Sequence, residues 1–288
     1  MPNDGDDTSG GLAGHNLLVA DGAVGPYLTD TGGVGAPAEA ANILQPEKVE
    51  TAHRGYLAAG AGLIRSNTRY ANRFALAAHD LEDRCEAINN SGIALARQAA
   101  GTDGVVMGSI GPIDPAAAAA PERERAYSEQ LIYLSDVGAD FLLLEHFTGL
   151  EEALMVARCA ERVSDAPILA QLTYSDQGTT ADGYSAEVCG ERLLQAGADA
   201  LGVSCAPRGK SLAAIVTTLL AFGVPTSVML GVPRPSAPTR ARDRYGDPQG
   251  VARFANPLIE LAGQGVVIVG GCCGVAPEHI AALAGPLA

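Results

Sequence analysis

The feature that most constrains this chain is an alternation. Eight short, apolar, β-branched-rich runs recur along it, with amphipathic helical stretches between them: NLLVA (16–20), LIRS (63–66), VVMGS (105–109), FLLLE (141–145), ILAQLT (168–173), ALGVS (200–204), TSVML (226–230) and VVIVG (266–270). The segment PEKVETAHRGYLAAG opens at Pro46 and closes at Gly60, as a helix should. In GLEEALMVARCAERV, Leu150, Leu154 and Ala157 share one face. Strands that alternate with helices pair in parallel, because each helix carries the chain back to the starting edge.

Eight such units in 288 residues average about 36 residues each, close to what an α/β (β/α)8 TIM barrel requires. An open doubly wound sheet is the alternative. It is disfavoured because no G-x-G-x-x-G follows the first strand and no G-x-x-x-x-G-K-[ST] occurs. The sequence therefore predicts a single barrel domain over residues 15–288, preceded by a polar leader over 1–14 with almost nothing to bury. The Pro- and Arg-rich stretch GVPRPSAPTRARDRYGDP (231–248) predicts a long irregular loop over the face where the strands end.

Hydrophobic residues make up 47% of the chain, enough for a sizeable core. Nineteen Lys and Arg stand against 33 Asp and Glu, a net charge of −14, which repels phosphate backbones and argues against nucleic-acid binding. No run reaches about 18 apolar residues, and MPNDGDDTSGG lacks the basic and apolar parts of an export signal. A soluble, cytoplasmic protein acting on small molecules, without membrane contact, is expected, and the oligomeric state stays open. In that setting six cysteines point to metal binding, catalysis or packing rather than to a disulfide framework.

Catalytic groups of a barrel gather where its strands end. Here those ends read DGAVG (21–25), SNT (66–68), GSIGP (108–112), EH (145–146), TYSD (173–176), SC (204–205) and GGCCG (270–274). Cys85, Cys159 and Cys189 fall within helical segments and read as packing residues. Cys205, Cys272 and Cys273 close two different strands. Adjacent residues on a regular strand face opposite ways, so Cys272 and Cys273 can meet one ion only if the backbone kinks, which the flanking glycines permit. Three thiolates leave one tetrahedral position of Zn2+ open, as a catalytic zinc needs. Plain packing or a redox disulfide are the other readings of this trio. An open zinc site would hold a substrate thiol as thiolate, ready to attack a soft carbon such as a methyl on a cationic sulfur or nitrogen.

Together with GLIRSNTRYANRF (62–74), ADFLLLEHFTGLEEA (139–153), GVSCAPRG (202–209) and VVIVGGCCGVAPEHI (266–280), these motifs resemble the homocysteine S-methyltransferase family over residues 16–280. The resemblance implies Cys205, Cys272 and Cys273 as zinc ligands. It implies Asp21 and Gly22 beside the amino-acid substrate, Glu145 on the homocysteine ammonium, and Ser66, Asn67 and Thr68 at its polar end. A buried carboxylate needs a cation, which supports the role of Glu145, although an arginine could serve as well. Asp21 has a turn-forming alternative, and Asn67 and Thr68 a backbone-capping one.

Three departures from the family pattern stand out: Ser204 for the usual Asn, Arg69 for an aromatic, and His146 where some relatives carry Tyr. His146 is expected to lie near enough to the metal to fill its open position before substrate binds, or else to pack behind the ligands. The remaining histidines, 15, 53, 79 and 279, are assigned no chemistry. By resemblance to short stand-alone members, the expected donor is S-methylmethionine or S-adenosylmethionine, the former preferred. A betaine-type donor, another thiol or selenol acceptor, and a non-catalytic zinc-binding barrel are the competing readings.

Overall fold

A computed structural model of the chain describes residues 17–205, 209–232 and 248–288. Eight parallel strands lie in it: β1 (Leu18–Val19), β2 (Leu63–Arg65), β3 (Val105–Ile110), β4 (Phe141–Phe147), β5 (Ile168–Leu172), β6 (Ala200–Ser204), β7 (Thr226–Leu230) and β8 (Ile268–Gly271). They form one sheet in the order β1-β8-β7-β6-β5-β4-β3-β2. A bridge between Ala20 and Leu63 joins the two ends, with Gly62 N–H donating to Val19 O at 2.9 Å and Asp21 N–H to Leu63 O at 3.0 Å. The sheet is thus a closed barrel, as the alternation predicts. The first strand is shorter than NLLVA suggests, and β4 runs two residues past FLLLE.

The helices between strands are α1 (Val24–Asp30), α2 (Ala41–Leu44), α3 (Pro46–Ala58), α4 (Arg73–Ala77), α5 (Cys85–Ala100), α6 (Ala120–Asp136), α7 (Leu150–Val163), α8 (Ala186–Gln195), α9 (Lys210–Leu220), α10 (Pro248–Ala262) and α11 (Pro277–Leu287). None is long and apolar enough to cross a membrane. The leader (1–14), His15 and most of the 231–248 loop lie outside the described residues.

Two apolar layers follow from the strand pleat. Outward residues such as Ile64, Leu142, Leu144, Leu201, Val203 and Val269 pack against the helices. Inward residues Leu63, Met107, Leu143, Leu169, Ala200, Met229 and Ile268 fill the barrel interior. Gly202 is required there by space, since a Cβ on it would sit 1.9 Å from Ser227 Oγ. Cys85, Cys159 and Cys189 are buried within helices, where burial pushes the thiols of Cys85 and Cys189 up to about 11. They are packing residues.

His53 of α3 is fully buried, and neither ring nitrogen has a partner among the described residues. Burial lowers its pKa to about 4. The folded protein therefore keeps it neutral while the unfolded chain protonates near 6.5, so the unfolded state binds more protons between those values. Stability falls as pH drops through that window. Denaturation near pH 8 and near pH 5 should differ by about 2 kcal/mol from this group alone. His53→Leu should remove that part of the pH dependence, and an unchanged slope contradicts it.

Candidate active site and metal centre

The last inward positions of neighbouring strands carry the chemistry. On β2 the inward series is Leu63 then Arg65, on β3 Met107 then Ser109, and on β4 Phe141, Leu143 then Glu145, so Arg65, Ser109 and Glu145 sit one layer above the apolar interior. Their convergence follows from parity and register.

At the end of β4 the register shifts. Leu144 pairs with Ala170 and Phe147 with Leu172, leaving two residues, Glu145 and His146, opposite Gln171 alone. This is a β-bulge, and His146 adopts a left-handed φ of 65° within it. The bulge brings adjacent Glu145 and His146 to the same cleft, which a regular strand would forbid. Its backbone is held by His146 N–H donating to Ser204 Oγ at 3.0 Å, so Ser204 serves the bulge.

His146 Nε2 lies 3.2 Å from Cys272 Sγ and 3.7 Å from Cys205 Sγ, and Cys205 Sγ is 3.7 Å from Cys273 Sγ. One ligand atom from each of the four falls within 4.8 Å of the others. Cys205 follows β6 with a left-handed φ of 47°. Of the three non-glycine residues with a left-handed φ among the described residues, two, His146 and Cys205, belong to this cluster, and the third is Asp80. The vicinal pair uses the expected kink: β8 ends at Gly271, Cys272 continues the inward series of Ile268 and Gly270, and Cys273 lies in the following turn. Gly274 allows that turn with φ 76°, where a Cβ would also meet Val232 O at 2.7 Å. Cys205 and Cys272 are paired as a disulfide, with Cα atoms 6.0 Å apart. Burial, with Arg69 and Arg65 adding to it and Glu145 opposing, lowers the His146 pKa to about 4, so its imidazole is neutral and able to ligate. With the Cys205–Cys272 pair reduced, three sulfurs and one imidazole would form a four-donor set that suits zinc.

Beside this cluster Arg65 joins four strands. Its Nε donates to Asp21 Oδ1 at 2.7 Å and its backbone N–H to Asp21 Oδ2 at 3.0 Å. Nη1 donates to Glu145 Oε2 at 2.9 Å, and Nη2 to Gly22 O at 2.5 Å, Gly271 O at 2.6 Å and Asp21 O at 3.2 Å. Glu145 Oε1 accepts from the Ser109 hydroxyl. The alternative reading of Glu145, an arginine partner, is thus met, by a strand residue rather than a loop one, and Arg65 ties the acidic pair to the backbone that leads into Cys272. Burial opposes ionisation of both acids. Arg65, Arg69, His146 and the Ser109 bond nevertheless hold Glu145 down to about 2, while for Asp21 burial wins and raises it to about 6.

An open cleft adjoins this cluster, lined by Glu39, Arg65, Arg69, Glu145, His146 and Cys272 among others. Ser66, Asn67 and Thr68 reach its wall with their polar groups largely committed inward. Asn67 Nδ2 donates to Ala38 O and Asn42 Oδ1, and Thr68 Oγ1 donates to Ser109 O at 2.8 Å. Asp21 is fully buried behind Arg65 and Gly22 packs against Tyr56, so neither lines the cleft. Arg65 was not singled out from the sequence. A charge inside the apolar run LIRS, at the parity of Leu63, was the available signal.

Leaving Asp21 and Glu145 buried without their cation is expensive. Arg65→Met should lower stability by about 3–5 kcal/mol in urea denaturation, and adding Asp21→Asn and Glu145→Gln should restore most of it. A loss below about 1 kcal/mol for Arg65→Met contradicts the ion-pair account.

The chain matches the family model described as homocysteine S-methyltransferase over residues 18–287. It is 28% identical over 295 residues to the methionine synthase of Mycobacterium leprae, covering 94% of this chain and 24% of that protein. It is also 28% identical over 267 residues to the S-methylmethionine–homocysteine S-methyltransferase of Pongo abelii, covering 85% and 71%, and over 275 residues to betaine–homocysteine S-methyltransferase 1 of Rattus norvegicus, covering 86% and 66%. The chain thus spans about a quarter of the mycobacterial relative's length. The metallated form of the homocysteine methyltransferase MmuM from Escherichia coli superposes with a TM-score of 0.77 at 23% identity, over 96% of this chain and 98% of that one, which shows the same barrel fold. On the family match, this chain belongs to the homocysteine S-methyltransferase family.

Proposed function

We propose that the protein is a zinc-dependent S-methyltransferase that moves a methyl group from a sulfonium donor to homocysteine, giving methionine. The observation that carries the reading is the convergence of Cys205, Cys272, Cys273 and His146 at the end of the barrel where the strands stop. Zinc held by the three thiolates would keep a fourth ligand, the acceptor sulfur, as thiolate at neutral pH.

The chain's own residues divide the remaining work. His146, with Nε2 3.2 Å from Cys272 Sγ, would help the three cysteines hold the ion while no acceptor is bound. Arg65 fixes Glu145, Asp21 and the Gly271 carbonyl in one unit, which holds the vicinal cysteines in place. Ser66, Asn67 and Thr68 shape the polar end of the acceptor pocket, with Asp21 and Gly22 acting from behind through Arg65. The acceptor loses its thiol proton to water. A sulfur–methyl bond then forms as the donor's carbon–sulfur bond breaks, and the donor leaves with that electron pair as a neutral thioether. Likeness to a relative named for S-methylmethionine, over most of both chains, supports a sulfonium donor.

Thiolates ligate and disulfide sulfurs do not, so metal uptake requires reduction of the Cys205–Cys272 pair. The test incubates reduced, zinc-loaded protein with homocysteine and, separately, S-methylmethionine, S-adenosylmethionine and betaine, then identifies products by mass. Methionine from a sulfonium donor is expected, and methionine from none of the three contradicts the reading. Cys272→Ser and Cys273→Ser should each lose bound zinc and activity while circular dichroism shows the barrel intact. Unchanged metal content contradicts the ligand assignment.

A further inference from the structure

We infer that Glu39 and Arg69 form a subsite for the α-amino-acid head of the methyl donor, with the Glu39 carboxylate taking its ammonium and the Arg69 guanidinium its carboxylate. This rests on the methyltransferase reading above and specifies which donors it accepts. Glu39 lies in the short turn Ala38–Ala40 between α1 and α2 and is only 6% exposed. Its Oε1 accepts from the Tyr70 backbone N–H at 3.2 Å, and no other residue among the described ones donates to the carboxylate or forms a salt bridge with it. A buried carboxylate in that state is costly, and a ligand cation reaching its second oxygen would offset the cost. Burial raises the Glu39 pKa, opposed by backbone N–H groups and then by Arg69 and His79, so both cations stand near it without pairing. An arriving ammonium favours the ionised form.

Arg69 is half-buried, with its guanidinium 4.5 Å over the Tyr70 ring, and among the described residues it donates no hydrogen bond. Its planar set of N–H groups can therefore receive a carboxylate. Glu39 and Arg69 line both the cleft beside Cys272 and His146 and an outer recess formed with Pro26, Pro37, Tyr70 and Pro112, so they stand where the two spaces meet. Arg69 follows β2 and Cys205 follows β6, four strands apart in either direction around the closed sheet, hence on opposite sides of the barrel mouth. In-line transfer puts the donor sulfur on the far side of the methyl carbon from the acceptor sulfur, which in the reading above sits with the cysteines. The donor therefore extends toward the β2 side and the recess, where Glu39 and Arg69 meet its head. Their opposite charges, close but not joined, match an ammonium and a carboxylate carried on one carbon. Sulfonium amino acids are the class that fits, whereas a betaine has no ammonium hydrogen to give Glu39.

The test measures donor KM and kcat on the reduced, zinc-loaded protein at saturating homocysteine, and homocysteine affinity by calorimetric titration with the donor omitted. The donors are S-methylmethionine, S-adenosylmethionine, 4-(dimethylsulfonio)butanoate and (3-aminopropyl)dimethylsulfonium. The third is S-methylmethionine without its amine and the fourth lacks only the carboxylate. The first two share the amino-acid head, and whichever of them turns over should show a KM about tenfold or more below those of both analogues. Glu39→Gln should raise that KM by about tenfold or more, leave the KM of the amine-free analogue within about twofold, and change kcat and homocysteine affinity by less than about threefold. Arg69→Met should raise it similarly and spare the analogue without the carboxylate. An amine-free analogue as good as the amino-acid donor overturns the inference, as does a Glu39→Gln protein that binds homocysteine more weakly with an unchanged donor KM. Either result leaves the methyltransferase reading standing. Turnover with none of the four overturns both.

Discussion

Closure of eight parallel strands is the constraint on which everything else depends. Once Ala20 bridges to Leu63, each strand has one side facing a common axis, and the last inward residue of each strand must meet the others there. Residues as far apart in sequence as Asp21, Arg65, Glu145, Cys205 and Cys272 become neighbours for that reason alone. Apolar side chains fill the layers below, so polar groups at this level have only each other, the cleft and the backbone ends as partners. The chemistry of the site is what those residues can do under that confinement.

Two local departures from regular strand geometry convert confinement into function. The β4 bulge lets Glu145 and His146 act side by side, one toward the guanidinium and one toward the sulfurs. The turn after Gly271 does the same for Cys272 and Cys273. Arg65 couples the two regions by bonding to Glu145 on one side and to the carbonyl preceding Cys272 on the other. The acid pair and the cysteine–histidine cluster are therefore one mechanical unit. A charge change at Asp21 or Glu145 should be felt at the cysteines.

Much of this was legible in the sequence. The eight apolar runs are buried inside a closed sheet, where continuous hydrophobicity is required, so their number and the barrel could be read directly. Cys272 and Cys273, with glycines on either side, announced a kink, and Cys205 at another strand end supplied the third sulfur. The bulge was not legible, because it exists only in the pairing of β4 with β5, and nothing within FLLLEHF marks the extra residue. Arg65 was passed over because its partners lie 44 and 80 residues away, and contact over that distance is a property of closure. The polar groups of Ser66, Asn67 and Thr68 proved largely committed to neighbouring backbone and side chains, a pattern that local sequence does not reveal.

The central claim is that three sulfurs and one imidazole share a single ion. Zinc-edge X-ray absorption on the reduced, metal-loaded protein tests it directly. The account predicts three sulfurs at about 2.3 Å and one nitrogen at about 2.0 Å, with the nitrogen replaced by a fourth sulfur when an acceptor thiol is added. A shell dominated by oxygen, or one with two sulfurs or fewer, would contradict it.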